Sequence, residues 1–166
     1  VYLGIQRRHM KDITIDYALR ATWQAVARMY NEEAKNFDST MAVGFCLLSI
    51  DPKTGTPSTA LGPKMGMEAT SLSRILKSME QKGLILRRPN PQDGRGVLIH
   101  LTPFGLEKRE DSKKVVLRFN EVVRREVSPQ KLESFFEVVN TINQLIAEKK
   151  IYDKTPAASG TGINTQ

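Results

Sequence analysis

Hydroxyl and cationic side chains share one face of a segment, Glu68 to Lys82, whose pattern predicts a helix. The apolar stripe of this segment has helical spacing and is formed by Leu72, Ile75, Leu76 and Met79. Because successive residues turn by about 100° around a helix axis, the face opposite the stripe carries Thr70, Arg74 and Lys77. Ser71 and Ser73 flank these side chains near the N-terminus of the helix. Such a face can donate hydrogen bonds to phosphates and reach base edges in the major groove of DNA. The alternative is an ordinary solvated helix face.

A second candidate lies in the stretch PNPQDGRGVLIHLT, Pro89 to Thr102. Two β-rich runs, Leu84 to Arg88 and Val97 to Thr102, predict the strands of a hairpin. Its predicted loop contains Asp93, Gly94, Arg95 and Gly96. Glycine permits a tight turn and close approach to another surface, and the aspartate can orient the arginine through a charge-assisted hydrogen bond. An arginine held in this way fits the negative potential of a minor groove. The alternative is a surface ion pair.

The elements that must position these side chains begin with a helix predicted over residues 13–37, which is apolar on two faces. Met41 to Ile50 is apolar all round and predicts a short interior helix. Thr56-Pro57 has the form of a helix start, with threonine as the cap and proline in the first position. Pro63 must then lie near the first turn of that helix or kink it. Gly66 predicts the tight turn before the Glu68 segment.

Two further helices follow the hairpin, opened by Thr102-Pro103 and Ser128-Pro129. The last of them, Gln130 to Tyr152, carries an apolar face made of Leu132, Phe135, Phe136, Val139, Ile142, Leu145 and Ile146. A helix-turn-helix followed directly by a two-stranded hairpin is the order of a winged helix. The sequence therefore predicts a mainly α fold with a small β-hairpin wing, flanked by N-terminal and C-terminal helices.

Composition favours a polyanionic partner and excludes several other classes. The net charge is +7, and residues 60–110 hold nine Lys and Arg against five Asp and Glu. No apolar run reaches the roughly 18 residues of a membrane span, so no membrane association is expected. One cysteine and two histidines give no metal-ligand set, and no cofactor-binding motif or catalytic triad is present. We therefore expect neither a metal site, nor a cofactor, nor an enzyme.

About forty residues resemble the winged-helix core of the MarR family of bacterial transcriptional regulators. Five motifs match. They are the Ser-Arg helix from Thr70 to Arg74, KGL from Lys82 to Leu84, RRP from Arg87 to Pro89, DxR in the wing from Asp93 to Arg95, and LTxxG from Leu101 to Gly105. Gly94 and Gly96 depart from the second arginine and the small or apolar residue that the family commonly has in the wing. The resemblance implies a cytoplasmic homodimer that binds a pseudo-palindromic operator in duplex DNA and represses transcription. The DNA contacts it implies are Thr70, Ser71, Ser73, Arg74, Lys77, Arg88, Asp93, Gly94 and Arg95.

The family also implies a cleft for a small phenolic or carboxylate effector between the dimerisation helices and the winged helix. The aromatic candidates for this cleft are Tyr17, Trp23, Tyr30 and Phe45, and the alternative is that they fill the core. Cys46 raises a thiol-based redox alternative, but its apolar surroundings predict an unreactive structural thiol. A winged helix used for protein contacts or RNA binding is a further alternative.

The predicted domain organisation is a single MarR-like domain over residues 10–152. Its winged-helix core covers about 51–105, with dimerisation helices at 13–37 and 106–152. Residues 1–9 have the pattern of a cloning-site remnant, and residues 153–166 are rich in Thr, Gly, Ser and Ala, which predicts a flexible tail.

Overall fold

The computed structural model describes residues 13–91 and 93–153, apart from the side chains at positions 94 and 95. The predicted remnant at 1–9 and the tail beyond Asp153 lie outside the described residues. The described residues form two compact units, of which the first ends at Phe119 and the second begins at Asn120. The elements run in the order α1 Ile15–Lys35, α2 Met41–Ser49, β1 Thr56–Pro57, α3 Ser58–Met65, α4 Ala69–Gln81, β2 Ile85–Asn90, β3 Asp93–Leu101, α5 Pro103–Glu126 and α6 Pro129–Ala147.

The predicted mainly α winged-helix architecture is confirmed, and its sheet gains a third strand. The antiparallel order is β1-β3-β2, so the predicted hairpin is joined by a short edge strand. That edge strand consists of Thr56 and Pro57, which pair with Ile99 and Leu98. The helix predicted to start at Thr56-Pro57 begins one residue later, at Ser58, with Pro57 as its N-cap. The predicted cap role of Thr56 is wrong, because its hydroxyl accepts from the Asp51 amide at 2.9 Å.

Pro63 lies inside α3, towards its C-terminal end, and not in the first turn. Proline removes one helical hydrogen bond there, and the helix ends two residues later at Met65. Gly66 follows with φ 61°, a left-handed conformation that glycine adopts without strain. The predicted tight turn before α4 is thus confirmed.

The core of the first unit lies between α2, α3, α4 and the sheet. Leu47, Ile50, Leu61, Met79 and Ile99 are all less than 2% exposed. No residue of α2 is classed as exposed, as its all-apolar sequence predicts. The Thr40 hydroxyl caps α2 by accepting from the Val43 amide. Only one face of α4 packs against this core, through Leu72, Leu76 and Met79.

The KGL and LTxxG motifs form one joint between α4, the sheet and α5. Gly83 follows α4 in a left-handed conformation, with φ 68°. The Leu84 amide then donates to the Met79 carbonyl at 2.9 Å, a hydrogen bond typical of a helix C-terminus that ends in glycine. Thr102 caps α5 by accepting from the Gly105 amide, and its hydroxyl donates to the Gly83 carbonyl at 2.6 Å. A Cβ at Gly105 would lie 1.9 Å from the Leu84 carbonyl oxygen, so only glycine fits.

The second unit contains the end of α5 and helix α6. Ser128 is the N-cap of α6 and Pro129 its first residue, as predicted, but the helix ends at Ala147, five residues before the predicted end. No residue of α6 is buried, and Phe135, Phe136 and Ile146 are about half exposed on its apolar face. Among the residues described, no helix is long and apolar enough to cross a membrane.

Candidate functional site

The polar face of α4 is exposed along its length. Leu72, Leu76 and Met79 are buried, as the apolar stripe predicts. The exposed side chains of the opposite face are Thr70, Ser71, Ser73, Arg74 and Lys77. No acidic residue occurs between Ala69 and Ser78. This face therefore presents hydroxyl groups and two cations with no carboxylate on the same stretch.

The N-terminal end of α4 adds backbone donors to the same face. Glu68 is the N-cap residue and makes no side-chain cap. The amides of a first helical turn have no partner within the helix and favour an anion. Ser73 donates its own hydroxyl hydrogen to the Ala69 carbonyl at 2.8 Å, so its oxygen is left as an acceptor. Phosphate and hydrogen-bonding groups of a partner are thus the ligands that suit this end.

An ion pair that the sequence analysis did not single out ties α4 to the wing. Arg87 Nε on β2 lies 3.0 Å from Glu80 Oε2 on α4. Because neighbouring residues of a strand point to opposite faces of a sheet, Arg88 points away from this pair, and its side chain is exposed. The charge of Glu80 is therefore offset by Arg87, which leaves the cations of α4 without a competing carboxylate of their own helix.

The wing differs from the predicted loop. The ladder between β2 and β3 continues to Asn90 and Asp93, so Asp93 to Gly96 belong to β3 and are not a free loop. Pro89 is tolerated in β2 because β2, like β1, is an edge strand of the sheet. The register is irregular between Pro89 and Asn90. A Cβ at Gly96 would meet Asp93 Oδ2 at 3.0 Å and Asn90 at 3.3 Å. Gly96 thus allows Asp93 and Asn90 of the wing itself to pack closely against the backbone of β3. The side chain of Arg95 lies outside the described residues.

A cavity of about 480 Å³ lies in the first unit, among α1, α2, the end of α4 and α5. Tyr30 and Phe45 line it, and their rings meet edge to face with centroids 5.7 Å apart. Burial raises the pKa of the Tyr30 phenol, which is therefore neutral near pH 7. Apolar walls with a few polar groups are typical of a small-molecule site.

The other two aromatic candidates do not line the cavity. Tyr17 and Trp23 are each about half exposed, so they fill neither the cavity nor the core. The Trp23 ring stacks on the ring of the cavity residue Phe45, with centroids 6.3 Å apart. The sequence analysis also missed the charged residues of the cavity, namely Asp38, Lys82, Lys108 and Asp111. They come from three separate segments, because Lys108 and Asp111 both lie on α5 at a spacing of three residues. No local spacing connects that pair to Asp38 or to Lys82.

Cys46 is fully buried in α2. Burial raises the pKa of its thiol to about 11, so at pH 7 only about one molecule in ten thousand carries the thiolate. Its surroundings are those of a structural cysteine. Among the residues described, no group of His, Cys, Asp and Glu could hold a metal ion.

We expect Cys46 to react with iodoacetamide at least about 100-fold more slowly in the native protein than in urea at pH 7.5, since the thiolate is the nucleophile. The native rate should rise with pH towards 11 because the raised pKa keeps the thiol protonated below that value. Intact mass measured over time gives both rates. Equal rates in native and unfolded protein would show that the thiol is accessible and reactive.

The winged-helix region is similar in sequence to known transcriptional regulators. Residues 40–97 match the model of the MarR family. A curated relative, the uncharacterized HTH-type transcriptional regulator YdgJ of Bacillus subtilis, is 34% identical over 91 residues. That match covers 52% of this chain and 56% of the relative, so the chain spans little more than half the length of that relative.

Two solved structures share the fold. The S. aureus MepR-DNA complex superposes with a TM-score of 0.73 at 20% identity, covering 81% of this chain and 99% of that one. The PcaV transcriptional regulator from Streptomyces coelicolor, solved in complex with its natural ligand, has a TM-score of 0.67 at 20% identity. The superposition covers 78% of this chain and 92% of the PcaV chain. Likeness at this identity establishes the architecture alone.

Proposed function

We propose that the chain is a MarR-family protein through its winged-helix region, residues 40–97, and a sequence-specific DNA-binding regulator of transcription. It acts as a homodimeric repressor that a small-molecule effector releases from its operator. The observation that carries this proposal is the exposed face of α4, which has hydroxyl groups, two cations and no acidic residue between Ala69 and Ser78.

In this proposal α4 lies in the major groove as the recognition helix. Arg74 contacts base edges, where a guanidinium pairs with guanine in two hydrogen bonds. Thr70, Ser71, Ser73 and Lys77 contact phosphates and neighbouring bases. The wing contributes its own set to the backbone and the adjacent minor groove, namely Arg88, Asp93, Gly94 and Arg95. The DNA complex of MepR, which has the same fold, supports this mode of binding.

The dimer is proposed from apolar side chains that each unit leaves exposed. On α1, Ile15, Tyr17 and Trp23 are more than half exposed, and on α6 the same holds for Phe135 and Ile146. Apolar surface of this extent is uncommon on monomers and marks an interaction site. A second copy of the chain, with its two-fold axis matched to a pseudo-palindromic operator, is the partner that the family implies.

The effector site is proposed to be the cavity lined by Tyr30 and Phe45. Its aromatic walls suit a flat phenolic or carboxylate molecule, with the cations of the cavity near its polar end. PcaV has the same fold and was solved with its natural ligand, which supports a ligand-responsive regulator. We propose a cytoplasmic location, because the operator DNA of a bacterial cell lies there. The relatives named above are regulators, and an enzymatic activity is not part of this proposal.

The thiol-based alternative has less support, because a buried thiol with a raised pKa reacts slowly with peroxide. If Cys46 were the sensor, peroxide would release the operator from the wild type and not from Cys46→Ser.

Native mass spectrometry on a duplex chosen by selection tests the proposed function. We expect two chains per duplex, with binding that survives competition by single-stranded DNA and by RNA of the same sequence. A monomer bound to the duplex, or preferential capture of RNA, would favour the alternative of an RNA-binding winged helix. A protein that selects no nucleic acid would favour the protein-contact alternative.

A further inference from the structure

One side chain belongs both to the cavity and to the proposed recognition helix. Lys82 is the C-cap residue of α4 and also lines the cavity. Its Nζ donates to the backbone carbonyl of Asp38, in the turn between α1 and α2, at 3.5 Å. Asp38 lines the same cavity. The end of α4 is therefore linked to the α1–α2 turn, beside the cavity, by a long hydrogen bond between two exposed residues.

The acceptor of this bond is held firmly. Asp38 has φ 51°, the left-handed conformation that usually requires glycine after a helix. Backbone hydrogen bonds hold the turn, among them those from the Ser39 amide to the Ala34 carbonyl at 3.0 Å and from the Asp38 amide to the Lys35 carbonyl at 3.2 Å. The Met41 amide also donates to Asn31 Oδ1 on α1. The carbonyl is thus fixed by the turn, and Lys82 is the flexible partner.

The charges of the cavity leave Lys82 open to an anion. Lys108 and Asp111 already pair with each other at 3.5 Å. Among the residues described, no carboxylate forms an ion pair with Lys82, and the one hydrogen bond of its Nζ there is to an uncharged carbonyl. An anionic acceptor adds to the hydrogen bond a Coulombic attraction for the Lys82 ammonium that a neutral carbonyl lacks. An anion in the cavity would therefore displace the Asp38 carbonyl from Lys82.

We infer that Lys82 is the positioning residue through which an anionic molecule in the cavity acts on α4. The ammonium leaves the Asp38 carbonyl for the anion, and the C-terminal turn of α4 loses its tie to the α1–α2 turn. This inference rests on the proposed DNA-binding function and specifies how the effector site regulates it.

A tethered anion tests the inference without knowledge of the natural effector. Ala34 lines the cavity beside the same turn, so Ala34→Glu places a carboxylate there and Ala34→Gln is its uncharged match. We expect Ala34→Glu to bind the selected operator about tenfold more weakly than Ala34→Gln. In a Lys82→Met background the two should bind within about twofold of each other, since additivity is lost only between coupled sites.

The result that would overturn the inference is equal affinity of the Glu and Gln variants. A tenfold difference that survives in Lys82→Met would also overturn it, because repulsion between the new carboxylate and DNA would then be the cause. If the longer side chains unfold the protein, the shorter pair Ala34→Asp and Ala34→Asn makes the same comparison.

The salt dependence of binding distinguishes positioning from a phosphate contact. Lys82→Met should weaken operator binding without changing the slope of log K against log salt concentration. A lysine that contacts a phosphate lowers that slope by about 0.9 for each contact removed, and such a fall in Lys82→Met would contradict the positioning role. Lys82→Arg retains the charge and the reach, and should restore most of the affinity.

Hydrogen exchange gives a readout that does not involve DNA. The Leu84 amide, which closes α4 on the Met79 carbonyl, should exchange faster in Ala34→Glu than in Ala34→Gln. If the wild type binds no duplex, the proposed function fails, and this exchange comparison alone decides whether Lys82 couples the cavity to α4. Equal exchange in the two variants would count against the coupling.

Discussion

Replacement of Gly105 by alanine is expected to destabilise the protein by about 2 to 4 kcal/mol, as overpacking of a rigid site does. The new Cβ would lie 1.9 Å from the Leu84 carbonyl oxygen, and that atom belongs to backbone. The same carbonyl accepts from the Thr102 amide at 3.1 Å, so it cannot move without loss of the joint between the sheet and α5. Urea unfolding followed by circular dichroism measures the change.

Gly66→Ala is the matched control for this prediction. Gly66 has φ 61° but no heavy atom within 4 Å of its potential Cβ, so alanine there meets only backbone strain of about 1 kcal/mol. A loss at Gly105 no larger than the loss at Gly66 would mean that α5 can shift away from Leu84. The joint made by the KGL and LTxxG motifs would then be looser than the distances indicate.

Replacement of Arg74 by alanine is expected to weaken operator binding by about 1 to 3 kcal/mol per half-site, with a smaller loss on a scrambled duplex. Arg74 is exposed on α4, where no carboxylate of the same helical stretch competes for it. A base contact contributes only on the correct sequence, whereas a phosphate contact contributes on every duplex. Anisotropy titrations on the two duplexes at one fixed salt concentration measure both losses.

The control for Arg74→Ala is Lys35→Ala, which removes the same charge from the exposed end of α1. It should change both titrations little and equally, because net charge acts on every duplex alike. Equal losses of affinity on the operator and on the scrambled duplex for Arg74→Ala would show that Arg74 contacts a phosphate and not a base.

The recognition helix could be predicted almost completely from sequence. The apolar stripe from Leu72 to Met79 alone fixes which face of α4 is buried, and Gly83 marks its end. Helix periodicity and glycine conformation are local properties, and the chain carries both within fifteen residues. The exposure of Arg74 and Lys77 follows from them.

The wing, the third strand and the cavity could not be predicted in this way. Thr56-Pro57 has the local pattern of a helix start, but pairing with Ile99, more than forty residues away, makes it a strand. Proline and glycine between Pro89 and Gly96 predict a loop, and the edge position of β2 lets the ladder continue through them. The contact of Lys82 with Asp38 joins residues 44 positions apart, so only the tertiary fold brings them together.

The most direct test of the central claim is the sequence that the full chain selects from a pool of random duplexes. The account predicts an inverted repeat whose half-sites are centred about one helical turn apart, close to 34 Å, since two α4 helices related by a two-fold axis must enter successive major grooves. An enriched single half-site without a repeat, or no enriched sequence at all, would contradict it.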